Sequence, residues 1–153
     1  MGSRYFVYSP ERRGTDLDPH INEFLGLLHR DHISSFLVTN AQHPDALRTL
    51  TKPTQLYVSI DASNKDSLKA IDRPLFKDFW ERTLECLDIL RERQSELRSV
   101  YRFTLVRGFN MDEIHGYGGL IDRGRPWLIE IKGIHVRLRK GVNCRRNLLW
   151  QVR

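Results

Sequence analysis

From residue 18 to residue 133, short apolar runs of strand length alternate with helix-length segments, and no two runs are separated by a hairpin-length turn. That alternation constrains the chain more than any other feature. Consecutive strands joined by helical crossovers pair in parallel, and right-handed crossovers put the helices on one side of a curling sheet. The spacing predicts helices over 18–31, 44–50, 62–71, 74–96 and 111–122, and strands over 33–39, 55–61, 99–107 and 127–132. In the first helix Ile21, Phe24, Leu25 and Leu28 recur on one helical face. Asp18 followed by Pro19 reads as its N-cap and first residue. The runs FLV, LYVSI and LIEI suit strands covered on both faces. The expected class is α/β, with four parallel strands and their intervening helices. Four strands are too few to close a barrel, which takes about six to eight. An edge is therefore expected to stand open beside 33–39 or 127–132.

Composition narrows the setting. The chain has 153 residues, enough for one domain and one core. No apolar run approaches the roughly 20 residues that cross a bilayer, and residues 1–14 hold no apolar signal region. The cytosol is the expected compartment, with no membrane partner. Two cysteines, Cys86 and Cys144, form neither a paired motif nor a metal-ligand spacing, so no metal site is read from the residues. The net charge of +6 is confined to 135–153, which carries Arg137, Arg139, Lys140, Arg145, Arg146 and Arg153 and no acidic residue. Without that stretch 19 basic residues face 19 acidic ones, so a body-wide basic face is not indicated.

In parallel sheets function gathers at the carboxyl ends of strands. All four strands end in polar residues: Thr39 and Asn40; Ser59 and Asp61; Arg107 with Asn110; Glu130 and Lys132. A wet loop explains any one of these, whereas four in succession point to a site. Period two puts Glu130 and Lys132 on one face. Two readings of Lys132 stand open. Desolvation behind an apolar strand favours the neutral amine, which can attack a carbonyl, and Glu130 could equally hold it in a structural ion pair. Arg102 points away from Tyr101 and Phe103. On an interior face it would need a carboxylate or phosphate partner, while a solvent edge would ask nothing of it. Gly116, Gly118 and Gly119 fall inside a helical pattern, not after a strand, and read as helix weakeners instead of a phosphate loop.

The stretch Thr54–Phe79, TQLYVSIDASNKDSLKAIDRPLFKDF, resembles the tRNA 4-demethylwyosine synthases, the radical S-adenosylmethionine enzymes of wybutosine biosynthesis. The resemblance runs from His20 to Gly133 through LVTNAQ, LYVSIDAS, IDRPLFKDFW and IEIKG. It implies part of a (βα)6 barrel in which a Cys-x3-Cys-x2-Cys motif holds a [4Fe–4S] cluster that cleaves S-adenosylmethionine to a radical. It also implies a substrate, 1-methylguanosine beside the anticodon of tRNA-Phe, and pyruvate as carbon donor. On that reading Thr39, Asn40, Ser59 and Asp61 line the S-adenosylmethionine side. Lys132 faces pyruvate as a Schiff-base amine, with Arg102, Asn110 and Glu130 on the substrate side.

This chain departs from the family where it matters. The three-cysteine motif does not occur, FVYSPERRGTDLD stands where the family has a Gly-Glu-Pro segment, and the match stops after IEIKG. Three parts follow: a divergent segment over 1–17, a partial barrel over 18–134, and a basic, disordered tail over 135–153. The expected function is that of a truncated synthase, inactive alone and lacking the part of the enzyme that carries the cysteines. The alternative is a non-catalytic module that touches tRNA through the basic tail, with the salt dependence that phosphate neutralisation brings.

Overall fold

The computed structural model describes residues 4–8, 18–106, 110–135 and 144–151. The strands are β1 (Tyr5–Tyr8), β2 (Ser34–Thr39), β3 (Gln55–Ile60), β4 (Ser99–Val106), β5 (Leu128–His135) and β6 (Cys144–Gln151). The α-helices are α1 (Ile21–Arg30), α2 (Pro44–Arg48), α3 (Lys65–Asp72), α4 (Phe79–Glu92) and α5 (Ile114–Gly124). A single 3₁₀ turn, Met111–Glu113, precedes α5. The sheet runs in sequence order from β1 to β6. Its first five strands are parallel, and β6 returns antiparallel against β5.

The α/β class and the four expected strands are present, and two more flank them. β1 pairs with β2 and β6 with β5, so both edges expected to stand open are covered. Cys144–Gln151 thus differs from the expected disordered tail: as β6 it joins the sheet, though the tail's Arg137, Arg139, Lys140 and Arg153 lie outside the described residues. The exposed edge moves outward to β1, where Tyr5 is 71% and Val7 56% accessible. β1 is only four residues long, which is one way a sheet blunts its edge.

The helices of the described residues pack on one face of the sheet. Ile21, Leu25 and Leu28 of α1, Leu47 of α2, Leu87 and Leu90 of α4 and Leu120 of α5 share one core with Leu37, Leu56, Val58, Ile60, Tyr101 and Phe103 of the sheet. Each fully buried aliphatic side chain contributes about 1.5–3 kcal/mol, so this layer supplies the stability of the fold. Arg93, at the end of α4, donates to the carbonyls of Leu47 (2.8 Å), Arg48 (3.1 Å) and Leu50 (3.0 Å), satisfying the last turn of α2. Arg123 makes two bonds to Asp88 (2.6 and 2.7 Å) that join α5 to α4.

Helix ends shift in informative ways. α1 starts at Ile21, not Asp18: the Asp18 carboxylate accepts from the His20 N–H (2.8 Å) in a turn that precedes the helix. The expected 74–96 helix begins only at Phe79, because Arg73 at the end of α3 takes a left-handed conformation (φ 46°) and Pro74 follows it. Two glycines read as helix weakeners or left unremarked prove to be packing sites. A Cβ on Gly116 would lie 2.6 Å from Ser63 Oγ, and one on Gly124 would lie 1.6 Å from the Tyr101 hydroxyl. Gly118 and Gly119 meet nothing within 4 Å and keep the first reading.

Candidate functional site

Strand alternation divides the polar residues between two faces. In β3, Leu56, Val58 and Ile60 enter the helix-facing core, so Gln55, Tyr57 and Ser59 face the other way. Register carries that second face across the sheet. Ser59 lies opposite Arg102, Arg102 opposite Glu130, and Thr104 opposite Lys132. Among the described residues no helix covers this open face, and Ser59, Arg102, Thr104, Glu130 and Lys132 are all half-buried on it. Val100 and Leu128, opposite one another at the start of β4 and β5, form its buried apolar floor.

Four of the expected residues therefore come together: Ser59, Arg102, Glu130 and Lys132. Their pairing is informative. No ion pair within 4.0 Å joins Glu130 to Lys132 or to Arg102 among the described residues. The Nε of Arg102 is fully buried and has no hydrogen-bond partner among them. A buried charged donor left without an acceptor costs about 1–3 kcal/mol or more. Tyr57 shares the face, and burial raises its phenol pKa. The Glu130 charge adds to that rise, while Arg102 and Arg98 oppose it.

Asn40 and Asp61 sit half-buried at the carboxyl ends of β2 and β3. Thr39 and Asn110 turn elsewhere. Thr39 is on the helix-facing side, 8% accessible, and its Oγ1 accepts from the Ala41 N–H (3.2 Å). Asn110 is 2% accessible and holds backbone. Its Nδ2 donates to the carbonyls of Asp61 (2.8 Å) and Thr104 (2.9 Å), and its Oδ1 accepts from the Val106 N–H (2.7 Å). With both amide hydrogens engaged, Asn110 locks the β3 exit to the end of β4 and has no donor left for a ligand. Arg107 lies outside the described residues.

A second polar cluster lies beside the mouth and went unread in the sequence. The Glu113 carboxylate accepts from the hydroxyls of Ser63 and Ser67, each at 2.5 Å, and from the Ser63 N–H (3.4 Å). These hydroxyls, Ser63 first, hold its pKa below the usual carboxylate value against the opposing effect of burial. Asn64 caps α3 by accepting from the Ser67 N–H (2.9 Å). The signal for this cluster was the run Ser63-Asn64-x-x-Ser67 opening a helix, with Gly116 clearing space for Ser63. Tyr57 and Thr104 were legible too, each two residues from a named position on the same face.

Thiolate chemistry is poorly served. Cys86 is 1% accessible, and burial pushes its thiol up to about 12, which keeps it protonated. No group of three His, Cys, Asp or Glu side chains placed to hold a metal occurs among the described residues. No described helix is long and apolar enough to cross a membrane. The open face offers instead an amine, a guanidinium, a carboxylate and hydroxyls above an apolar floor. That set suits a small polar molecule with a carbonyl or a carboxylate.

Known proteins resemble this chain in sequence and in fold. The tRNA 4-demethylwyosine synthases of Schizosaccharomyces pombe and Saccharomyces cerevisiae are 64% and 60% identical to this chain over 76% of its length, and it spans 17% and 14% of theirs. The human synthase is 59% identical over the same share, of which the chain spans 16%. Two solved structures share the fold. One, described as TYW1 with a lysine–pyruvate adduct bound, superposes with a TM-score of 0.76 at 35% identity, over 90% of this chain and 44% of that one. The other, an archaeal TYW1, gives 0.70 at 32% identity, over 84% and 42%. The family model described as the radical SAM superfamily matches residues 13–117, more than half of the chain and all of its first three helix-to-strand units. By its match to the family model over more than half of its length and by its fold, this chain is a member of the radical SAM superfamily.

Proposed function

We propose that this chain forms the substrate-side wall of a tRNA 4-demethylwyosine synthase barrel. In such an enzyme 1-methylguanosine beside the anticodon of tRNA-Phe gains a third ring with carbons from pyruvate. The observation that carries the reading is Lys132 on the open face. It stands in IEIKG within β5, without an ion-pair partner among the described residues, in a chain that resembles a structure holding a lysine–pyruvate adduct.

Chemically, the Nζ of Lys132 adds to the keto carbon of pyruvate. The new C–N bond forms as the carbonyl oxygen takes up protons and leaves as water, and the product is an imine. Asn40, Ser59 and Asp61 stand at the mouth with amide, hydroxyl and carboxylate groups suited to the ribose and amino-acid parts of S-adenosylmethionine. Asn110 does not touch either ligand on this reading: it positions the β3 and β4 exits. Thr39 serves the turn after β2 in the same way.

The superfamily's iron–sulfur cluster does not fit these residues. A [4Fe–4S] cluster takes thiolates, and the chain has Cys86, buried and protonated, and Cys144, with no third cysteine. Formation of the lysine adduct needs no cluster. Borohydride reduction of the full chain with pyruvate tests it. A stable adduct mapped by mass spectrometry to Lys132, and lost in Lys132→Arg, is the expected result. Labelling spread over several surface lysines, or none at all, would remove the basis for the reading.

A further inference from the structure

We propose that the amino-terminal end of the sheet carries a second binding site, one for a nucleotide unit. The phosphate lies between Lys52 and Arg98, and the base stacks on Trp127. This site stands apart from the lysine reading above and does not depend on it.

A pocket of about 330 Å³ opens where the chain enters β3, β4 and β5. Lys52 lines it from the segment before β3, Gln94 and Arg98 from the segment before β4, and Trp127 and Leu128 from the entry to β5. Its volume is at the lower end of the range for small-ligand sites, which suits one nucleotide unit and not a dinucleotide. Leu128 precedes Lys132 by four residues, about 13 Å along the strand, so the pocket lies at the other end of the sheet from the polar strand ends.

Charge selects one half of the ligand. Lys52 and Arg98 are exposed, and neither forms an ion pair among the described residues. Glu96 also lines the pocket, but its carboxylate is engaged by the Arg93 guanidinium, at 3.0 Å from both Nε and Nη2. Two cations are thus left for an entering phosphate, which accepts from both. Trp127 selects the other half. Its indole Nε1–H donates to the Gln94 carbonyl (2.8 Å) and its backbone N–H to the Ser99 carbonyl (3.0 Å), which fixes ring and backbone together. Gln94 is held in turn, its Nε2 donating to the Arg125 carbonyl (2.7 Å). Even so, Trp127 stays 44% accessible. A pinned and open indole beside two free cations is the pairing that nucleotides use, stacking on the ring and phosphate on the charges. Inorganic phosphate would leave the indole idle, and an uncharged ring would leave the cations idle.

The test follows the indole N–H resonances of the ¹⁵N-labelled full chain, that of Trp127 being the one lost in Trp127→Phe. The titrants are adenosine monophosphate, adenosine, inorganic phosphate and a short oligoadenylate. Adenosine monophosphate should shift the Trp127 signal saturably. Adenosine and inorganic phosphate, each bringing half of the ligand, should need concentrations at least about tenfold higher. Arg98→Gln should weaken binding of the mononucleotide about tenfold and Lys52→Gln by a smaller factor. Neither should alter borohydride trapping of pyruvate on Lys132, which keeps the two sites distinguishable. Tighter binding of the oligoadenylate than of the mononucleotide would support the site and place its ligand within an RNA strand. Equal affinity would support it with a free nucleotide as ligand. Inorganic phosphate binding as tightly as the mononucleotide would overturn the nucleotide assignment. A Trp127 signal that no titrant moves, or mononucleotide binding that survives both substitutions, would overturn the site itself.

Discussion

The two faces of the sheet are built from alternate residues of the same strands, and they obey opposite rules. Toward the helices, Leu56, Val58, Tyr101 and Phe103 are at most 3% accessible and join one apolar core. One residue away on each strand, Tyr57, Ser59, Arg102 and Thr104 face no helix, and among them sits a buried charged nitrogen without a partner. The first face maximises burial and shape fit, although the Tyr101 hydroxyl within it also lacks a hydrogen-bond partner among the described residues. The second keeps polar groups half-desolvated and unsatisfied, which costs stability and is retained where a ligand completes the arrangement. Fold and site are thus separated by the period-two alternation of a strand and not by distance along the chain.

Substitutions should break that contrast in a fixed order. The largest loss belongs to Leu87→Ala, at a side chain with 0% accessibility in the core, expected to cost roughly 2–5 kcal/mol in chemical denaturation. Next comes Gly124→Ala, whose methyl group would lie 1.6 Å from the Tyr101 hydroxyl. Overpacking of this kind costs about 1–3 kcal/mol, and Tyr101→Phe should rescue part of it by removing the oxygen that clashes. Asn110→Ala removes the partner of the Val106 N–H and one donor each from the Asp61 and Thr104 carbonyls, for a loss of about 2 kcal/mol, and should loosen the site mouth as well. Amide exchange at Val106 would report it.

A smaller effect has a pH signature. Glu113 has its pKa lowered by the Ser63 and Ser67 hydroxyls. A carboxyl depressed in the folded state contributes stability above its unfolded value and loses it as pH falls through the folded value. The stability difference between the parent chain and Ser67→Ala should therefore be full at neutral pH and fade on acidification below the ordinary carboxylate range. A difference that stays constant through that range would assign the effect to packing of the hydroxyl instead.

How much of this was legible follows the same division. The alternation of apolar runs and amphipathic helices located β2 to β5 within a residue or two at most boundaries, because core burial writes a strong period into the sequence. β1 escaped because four residues carry too little pattern. β6 escaped because CRRNLLWQ is charged at one end and reads as tail until β5 is there to pair with it. At the site, Ser59, Arg102, Glu130 and Lys132 could be grouped from period two alone. Thr39 and Asn110 looked like their equals, since a sequence does not reveal whether a polar group bonds a ligand or its own backbone. The Glu113 cluster needed the approach of the 3₁₀ turn to the start of α3, a contact between residues 46 and 50 apart in sequence.

One measurement puts the division of labour between the faces to the proof: thermal unfolding of the Arg102→Met, Lys132→Met double variant beside the parent chain, without ligand and then with pyruvate. Removing a buried donor and an amine that have no partner among the described residues should leave the midpoint unchanged or raise it by a few degrees. Pyruvate should raise the midpoint of the parent alone. A midpoint several degrees below the parent without ligand would show that the open face holds the fold together, and the separation of fold from site would be wrong.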